Sequence, residues 1–544
     1  WVEERFQNAA MVCNKVTYHL SSAIQDLGRA LGMPPELRNK LTDGLGRDYG
    51  GLRPHQAEEA QVVFDEVLKK APVKNVLLGL LKKMEKGFVR HVAPHSGGWV
   101  LSGDSLSHYS PVERSKGGLP CLQYDKDDVE TLGLMKLDLL GLRILSVFEQ
   151  TCETVLARKN VRVDLRHIPH DPRVWKSIQD GDTMGVFQVE SPGQVRLSVQ
   201  LQPETPKDMK DQVALFRPGP IQSNTVHPYT ARRLGREKIV YPHPSLQPIL
   251  ERSYGIILFQ EQVMQIARHF AGFDWEAADK FRKLVSTFED EHEIRDERRR
   301  FVEGAVRKTG ATREEAVHVF NLCAAFRGYG FAESHAWAFG IHAYRSAWLR
   351  YHYPVEYFAG VLSEQPGMYG VSTFRQQLLA WGVGFNRLDI NESTAHYRIE
   401  DDIKGECLRP SLCSVDGVSR EAAQEIVIER LRGGKFVNLQ DVVERTELPR
   451  DALEALARGG AFDSFLERRE ALYEIGVLVQ SRQPKQKRLF KPVKTPAFPD
   501  LTTLKRTEWD YELKGLTEHA VHPVDLVRQE LLGLGATPMI RLKQ

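Results

Sequence analysis

A chain of 544 residues amounts to ~3.6 domains at roughly 150 residues each, so several modules are expected and a single globule is excluded. The 74 Lys and Arg nearly balance 72 Asp and Glu, leaving +2, so any attraction to nucleic acid must come from local patches. With 42% hydrophobic and 27% charged residues the chain has the composition of a folded protein, and disorder is at most regional.

Six cysteines (Cys13, Cys121, Cys152, Cys323, Cys407 and Cys413) are scattered without a C-x-x-C pair, which argues for a reducing compartment and against a zinc knuckle. No window reaches the ~18 unbroken apolar residues of a membrane span, and WVEERFQ has neither the basic nor the apolar part of a signal peptide. A cytoplasmic protein is expected. Because the chain starts at Trp1 rather than Met, an upstream extension is expected too.

Along the chain, Val16, Leu20, Ile24, Leu27 and Leu31 repeat at helical spacing, which predicts a helix within 10–34 that stops at Gly32 and Pro34-Pro35. Residues 55–87 are again helical in pattern. From about Gly97 to Leu145 the runs GGWVLSG, LPCLQYD and GLMKLDLLGL read as strands of a mixed sheet. Helical periodicity dominates 175–365, broken by turns at Arg217-Pro218-Gly219-Pro220 and Tyr241-Pro242-His243-Pro244. Within 405–466, SVDGVSREAAQEIV and LPRDALEALARGGAFDSF each enter a short helix through a turn. Residues 482–494 carry six Lys and Arg and no acid among prolines, the composition of a flexible connector. The last 40 residues resume a globular pattern that stops short of a complete domain.

Several of these segments hold residues suited to chemistry. A strand over GLMKLDLLGL sets Leu134, Lys136 and Asp138 on one face and Met135, Leu137 and Leu139 on the other. A charge on an apolar strand needs a partner, so Asp138 fits either a divalent cation, with Lys136 on a phosphate, or a structural ion pair with Lys136. QYDKDDVE lacks the glycine and glutamate of a calcium loop and reads as a solvated turn. Arg217 at the mouth of a rigid Pro-Gly-Pro turn suits bidentate phosphate recognition, and it equally suits an ordinary surface arginine. Gln260-Glu261-Gln262 follow an apolar run and open the next helix. Ser334, His335, Arg345 and Arg350 alternate with Tyr329, Phe331, Trp337, Tyr344 and Trp348, a pattern shared by base-stacking surfaces and by helix cores. The turn at Gly417 fits a helix-hairpin-helix, which offers backbone amides to phosphate, and it also fits a plain helical hairpin. In the connector, Gln486, Leu489 and Phe490 resemble the short peptides that insert apolar side chains into a bacterial sliding clamp.

Taken in order, RHVAPHSGG, QYDKDDVETLGLMKLDLLGLRIL, GVFQVES, ALFRPGP, YGIILFQEQVMQIA and SHAWAFGIHAYRSAWLRYHYP resemble the bacterial DNA polymerase III alpha subunit, a C-family DNA polymerase, over about Gly28 to Val524. The resemblance implies an α+β multidomain chain. Its expected parts are a mixed-sheet palm with a helical thumb insertion (1–170), large mainly helical fingers (171–404), tandem helix-hairpin-helix motifs (405–466), a basic linker with the clamp-binding peptide (467–500) and the start of an OB-fold (501–544). It implies Asp138 as the third metal-binding palm aspartate, with Lys136 beside the nucleotide phosphates. It further implies nucleotide binding by Arg217, Gln260, Arg282, Lys283, Ser334 and His335, and DNA binding by Arg90, His95, Gly417, Val418, Ser419 and Arg420. Two Mg²⁺ ions, primer-template DNA, deoxynucleoside triphosphates, a sliding clamp and further replisome or mutasome subunits are the implied cofactors and partners.

Two departures stand out. The family's first two palm aspartates and its PHP domain are expected upstream of Trp1, so the chain as given is expected to be inactive alone. A non-catalytic DNA- and clamp-binding fragment is the alternative. The second departure is Glu333, where replicative members carry lysine; with SEQPGMY (Ser363–Tyr369) it is similar to the error-prone branch.

Overall fold

The computed structural model describes residues 2–43, 45, 56–68, 73–84, 88–216, 225–287, 291–325, 331–403, 405–481, 498–517 and 533. It divides into two compact units, Trp1–Gly141 and Leu142–Gln544. The architecture is α+β: helices predominate, with one five-stranded and one three-stranded sheet.

The first unit is built on a sheet of order β3-β4-β1-β2-β5, with β1 Ala9–Thr17, β2 Val89–Leu101, β3 Val112–Arg114, β4 Pro120–Leu122 and β5 Lys136–Asp138. It is mixed, since β1 runs parallel to β4 and antiparallel to β2. Alternate residues of β1 feed two apolar clusters: Ala10 and Val12 meet Val100, Leu106, Leu122 and Val129, while Ala9, Met11 and Cys13 meet Trp99 and Cys121. This corrects the helix expected over 10–17. Val16 falls in phase with the helical residues after it, but Ala9–Cys13 is buried on both faces, and a doubly buried strand carries no period-2 signal. The amphipathic helix starts only at Leu20 and runs to Ala30.

QYDKDDVE is also corrected. Asp125 caps the helix Lys126–Thr131, accepting from the amides of Asp127 (3.0 Å) and Asp128 (3.1 Å). Asp125 and Asp128 together bind Lys15 of β1, at 2.8 and 3.0 Å. The acidic run is therefore a helix cap that ties this helix to the central strand.

In the second unit the long helix Glu333–His352 lies among Arg143–Lys159, Pro206–Leu215 and Pro354–Glu364. Trp175 stacks on Tyr344 at 4.3 Å inside the largest apolar cluster. A separate phenylalanine cluster, Phe270, Phe281, Phe301 and Phe320, fastens the helices Gln260–His269, Trp275–Thr287, Glu291–Thr309 and Arg313–Ala324. The small sheet has β8 Gly405–Arg409 between β6 Gly384–Phe385 and β7 Arg398–Asp402.

The hairpin helices Arg420–Gly433 and Arg450–Gly459 share one core that reaches from Leu388 to Ile475. The stretch read as a connector from 467 begins as the helix Arg468–Ser481, with Ala471 and Ile475 fully buried in that core. Helix Thr503–Lys514 packs on the same module. Buried Arg468 bonds Asp510 at 2.8 Å, and Lys514 bonds Asp510 (3.1 Å) and the Gly459 carbonyl (2.8 Å). Among the described residues no helix is long and apolar enough to cross a membrane.

Candidate nucleotide and DNA site

In the first unit three sequence-chosen residues come together. Strand β5 pairs with β2 so that Lys136 faces Val100 and Asp138 faces Gly98. Between Met11, which pairs with Trp99, and Cys13, which pairs with Pro94, the four residues His95–Gly98 stand opposite the single Val12, so β2 carries three extra residues and bulges. His95 Nδ1 holds the bulge by accepting from the amides of Gly97 (3.2 Å) and Gly98 (2.7 Å). A Cβ on Gly98 would lie 2.9 Å from His95 Nδ1 and 3.3 Å from the Lys136 stem, so a side chain there would crowd both. Lys136 Nζ donates to both Asp138 oxygens, at 2.7 and 2.8 Å. The carboxylate keeps 48% of its side chain exposed, and Met135, Leu139 and Leu140 beside it are exposed as well. Arg90 lies toward the other end of β2, paired with Asp26 at 2.8 Å.

In the second unit a buried charge cluster underlies the start of helix Glu333–His352. Lys210, 1% exposed, bonds Asp211 (3.0 Å) and Glu333 (2.9 Å), and its ammonium faces the rings of Phe259 (4.5 Å) and Trp337 (5.2 Å). Arg252 takes the second Glu333 oxygen at 3.0 Å. The Tyr229 hydroxyl donates to Asp211 at 2.6 Å, and burial followed by that carboxylate pushes the phenol well above its ordinary range. Glu261 accepts the Glu333 amide with both oxygens at 3.0 Å, a carboxylate at the positive end of the helix dipole.

Ser334 and His335 are exposed on the first turn of the same helix, with His335 leaning on Phe339 at 4.0 Å. The Gln260 amide donates to the Phe331 carbonyl at 3.0 Å, which joins its helix to this turn. Gln260, Ser334 and His335 therefore converge, while Arg282 and Lys283 stand on Trp275–Thr287, whose buried Phe281 belongs to the phenylalanine cluster. Arg282 bonds Asp279 at 2.8 Å. Burial raises that carboxyl, but the arginine and Lys283 outweigh it and hold it below its ordinary value. Lys283 lines a charged cleft of about 700 Å³ with Lys280, Arg300, Asp274 and Asp296. Arg217 lies outside the described residues, as do Gln486, Leu489 and Phe490.

GVFQVES and SEQPGMY meet at one residue. Glu190 accepts from the amides of Gly185 (3.0 Å) and Met368 (2.8 Å), and its burial raises its carboxyl. Beside it a cavity of about 430 Å³ is lined by Phe187, Gln188, Gln194, Phe216 and Met368.

In the hairpin module Gly417 has φ +91° at the tight turn closed by the Val418 amide on the Val415 carbonyl (3.1 Å). Ser419 caps the following helix through the Ala422 amide at 3.2 Å. Val418 is 7% exposed, so its side chain serves the core and only its backbone is offered outward. Arg420 pairs with Glu364 at 2.8 Å, which lifts its guanidinium further.

Reading the sequence missed Lys210, Asp211 and Arg252. KDMKDQ looks like a solvated helix face, and its only cue is the Thr205/Asp208 capping box that opens the helix.

Comparison with known proteins bears on this geometry. Residues 1–141 match the bacterial DNA polymerase III alpha NTPase domain, 144–309 the bacterial DNA polymerase III alpha subunit finger domain, and 382–472 a helix-hairpin-helix motif. The chain belongs to the bacterial DNA polymerase III alpha family. It is 33% identical to the error-prone DNA polymerase of Mycobacterium bovis over 98% of this chain and 48% of the relative. It is likewise 33% identical to the error-prone DNA polymerase of Corynebacterium glutamicum, over 100% of this chain and 48% of the relative. The same identity holds to that of Symbiobacterium thermophilum, over 96% and 52%. The chain thus spans about half the length of the curated error-prone DNA polymerases it matches.

Proposed function

We propose that this chain is the central and C-proximal part of a DNA-templated DNA polymerase that extends a primer 3′-OH with deoxynucleoside triphosphates, in replication or in damage-induced error-prone synthesis. The observation that carries the proposal is the exposed Lys136–Asp138 pair under the His95–Gly98 bulge, in a chain of the polymerase III alpha family. Its parts are read as palm with thumb insertion, fingers, tandem helix-hairpin-helix, linker and OB-fold start, over the ranges given above.

Two-metal nucleotidyl transfer with Mg²⁺ is the reaction type we assign. Among the described residues no three His, Cys, Asp or Glu side chains are placed to hold a metal, and Asp138 is a single carboxylate already held by Lys136. The described residues do not fit a pair of ions by themselves, and Asp138 would be one ligand of such a site. This chain's own contribution is charge stabilisation and positioning. Lys136 is a cation whose bond to an exposed carboxylate exchanges readily for a phosphate oxygen. Arg282 and Lys283 offset negative charge on the triphosphate, and Gln260, Ser334, His335 and Arg217 bind it. Arg90, His95 and the amides of Gly417–Arg420 grip DNA, and Gln486, Leu489 and Phe490 bind the sliding clamp.

Asp138→Asn in the full-length protein is expected to abolish primer extension while leaving primer-template binding nearly intact. Wild-type-like extension sinks the assignment. Binding by the hairpin module should weaken steeply with salt and ignore sequence, since backbone contacts release counterions; sequence-selective footprints would contradict this. Replacing Gln486, Leu489 and Phe490 by Ala should eliminate clamp binding in surface plasmon resonance. A non-catalytic DNA- and clamp-binding fragment is the second reading for the chain taken alone.

A further inference from the structure

The second hairpin helix forms a cleft together with the two helices that follow it. The helices Arg450–Gly459, Arg468–Ser481 and Thr503–Lys514 border a shallow open cleft of about 640 Å³, lined by Arg450, Arg458, Arg469, Tyr473, Phe498 and Trp509 with Glu454 and Leu472. Three arginines face one glutamate in the lining. Arg450 stands in the first turn of its helix, where amide dipoles add positive potential, and it gives its Nε to Glu454 at 2.6 Å. A guanidinium has five donors, so that single bond leaves capacity for an anion. Arg458 pairs with Glu512 outside the lining and lies 5.5 Å over the Trp509 ring. Arg469 donates to the Pro499 carbonyl at 2.9 Å, which sets its plane beside the loop that carries Phe498.

The rings supply the second half of the chemistry. Tyr473 and Phe498 lie 5.7 Å apart at 54°, so neither covers the other's face, and Tyr473 is 37% exposed. An exposed aromatic on a helix otherwise committed to the core through Ala471 and Ile475 is not needed for packing. The framework is stiff, since buried Arg468, Asp510 and Lys514 lock the three helices to one another.

We infer that this cleft is a binding site for single-stranded DNA, with an unstacked base on Tyr473 and Phe498 and the flanking phosphates on Arg450 and Arg469. Arginines without rings would serve any polyanion, and rings without arginines any apolar ligand. Faces and cations together select a chain that alternates planar bases with phosphates. Duplex DNA does not qualify, because its base faces are already covered by neighbouring pairs. None of the lining residues belongs to the Gly417–Arg420 turn, although Gly417 packs on Ala455 of the same helix, and the site needs neither a nucleotide nor catalysis.

The test uses the whole chain without nucleotide, a fluorescein-labelled oligothymidylate of about 12 nucleotides, within the site sizes of single-strand binders, and the same strand annealed to its complement. Fluorescence anisotropy of Tyr473→Ala is expected to show single-strand affinity weakened about tenfold, with duplex affinity unchanged within about twofold. Tyr473→Phe should bind like the parent, because stacking needs the ring and not the hydroxyl. Arg450→Gln should weaken single-strand binding and reduce its salt dependence. The inference is overturned if Tyr473→Ala leaves single-strand affinity intact, if it weakens both strands' forms equally, or if Tyr473→Phe is as weak as Tyr473→Ala. Displacement of the oligonucleotide by a polyglutamate peptide of equal charge would overturn it as well. Matching melting temperatures for parent and variants exclude misfolding, and none of these readings depends on primer extension.

Discussion

Lys136 with Asp138, and Lys210 with Asp211 and Glu333, are lysine–carboxylate groups of the same chemistry in opposite surroundings. The first pair stands at the edge of a sheet with Asp138 about half exposed; the second is buried, with Asp211 fully covered and Lys210 nearly so. An exposed pair contributes about 0–1 kcal/mol, so a ligand displaces either partner at little cost. A buried pair adds little over an apolar core, yet losing one partner strands the other charge and costs about 3–5 kcal/mol. The exposed pair is therefore exchangeable and suited to binding, while the buried cluster is scaffold that fixes where Ser334 and His335 stand.

That contrast is open to direct attack. Lys210→Met should destabilise the second unit by about 3–5 kcal/mol in urea unfolding, because Asp211 and Glu333 lose their shared cation. A loss under about 1 kcal/mol would make the cluster equivalent to a surface pair. Glu333→Gln should cost about 1–3 kcal/mol, and Glu333→Lys more, since it sets a third cation against Lys210 and Arg252. Equal or reversed costs would mean the cluster relaxes around position 333.

A smaller effect is pH-dependent. Burial raises Asp510, but Lys514 and Arg468 outweigh it and hold it below 3.8; Asp208 behaves alike, with Arg233 outweighing its burial. Below 3.8 the unfolded chain binds more protons than the folded one, so this stability is complete above that pH and is lost as the pH falls through the depressed values. Asp510→Asn should flatten the acid limb of the melting-temperature profile; an unchanged limb would remove Asp510 from the balance. The smallest change is expected at the exposed pair, where Asp138→Asn should move stability by less than about 1 kcal/mol even as primer extension is lost. A larger loss would assign Asp138 to the scaffold.

Much of the plan is legible in the residues. Glycine and proline turns mark the hairpin helices, short apolar runs mark β4 and β5, and long motifs carry the family. Strand β1 was not legible, because a strand buried on both faces presents no polar phase and Val16 matches the helical repeat that follows. Lys15 with Asp125 was invisible for another reason: a pair more than a hundred positions apart leaves no local pattern. His95 and Asp138 were each chosen singly, but only the bulge in β2 brings the histidine onto Gly98, the residue that pairs with Asp138.

The sequence by itself determined the family, the helical and hairpin content, and the residue types proposed for DNA and nucleotide, since these follow from local composition and spacing. Tertiary structure decided which charges are exposed and which are buried. KLD and KDMKD read alike as text, and only the packing of Phe259, Trp337 and Tyr229 around Lys210 and Asp211 removes water from one and not the other. Desolvation depends on neighbours distant in sequence, so no local pattern announces it.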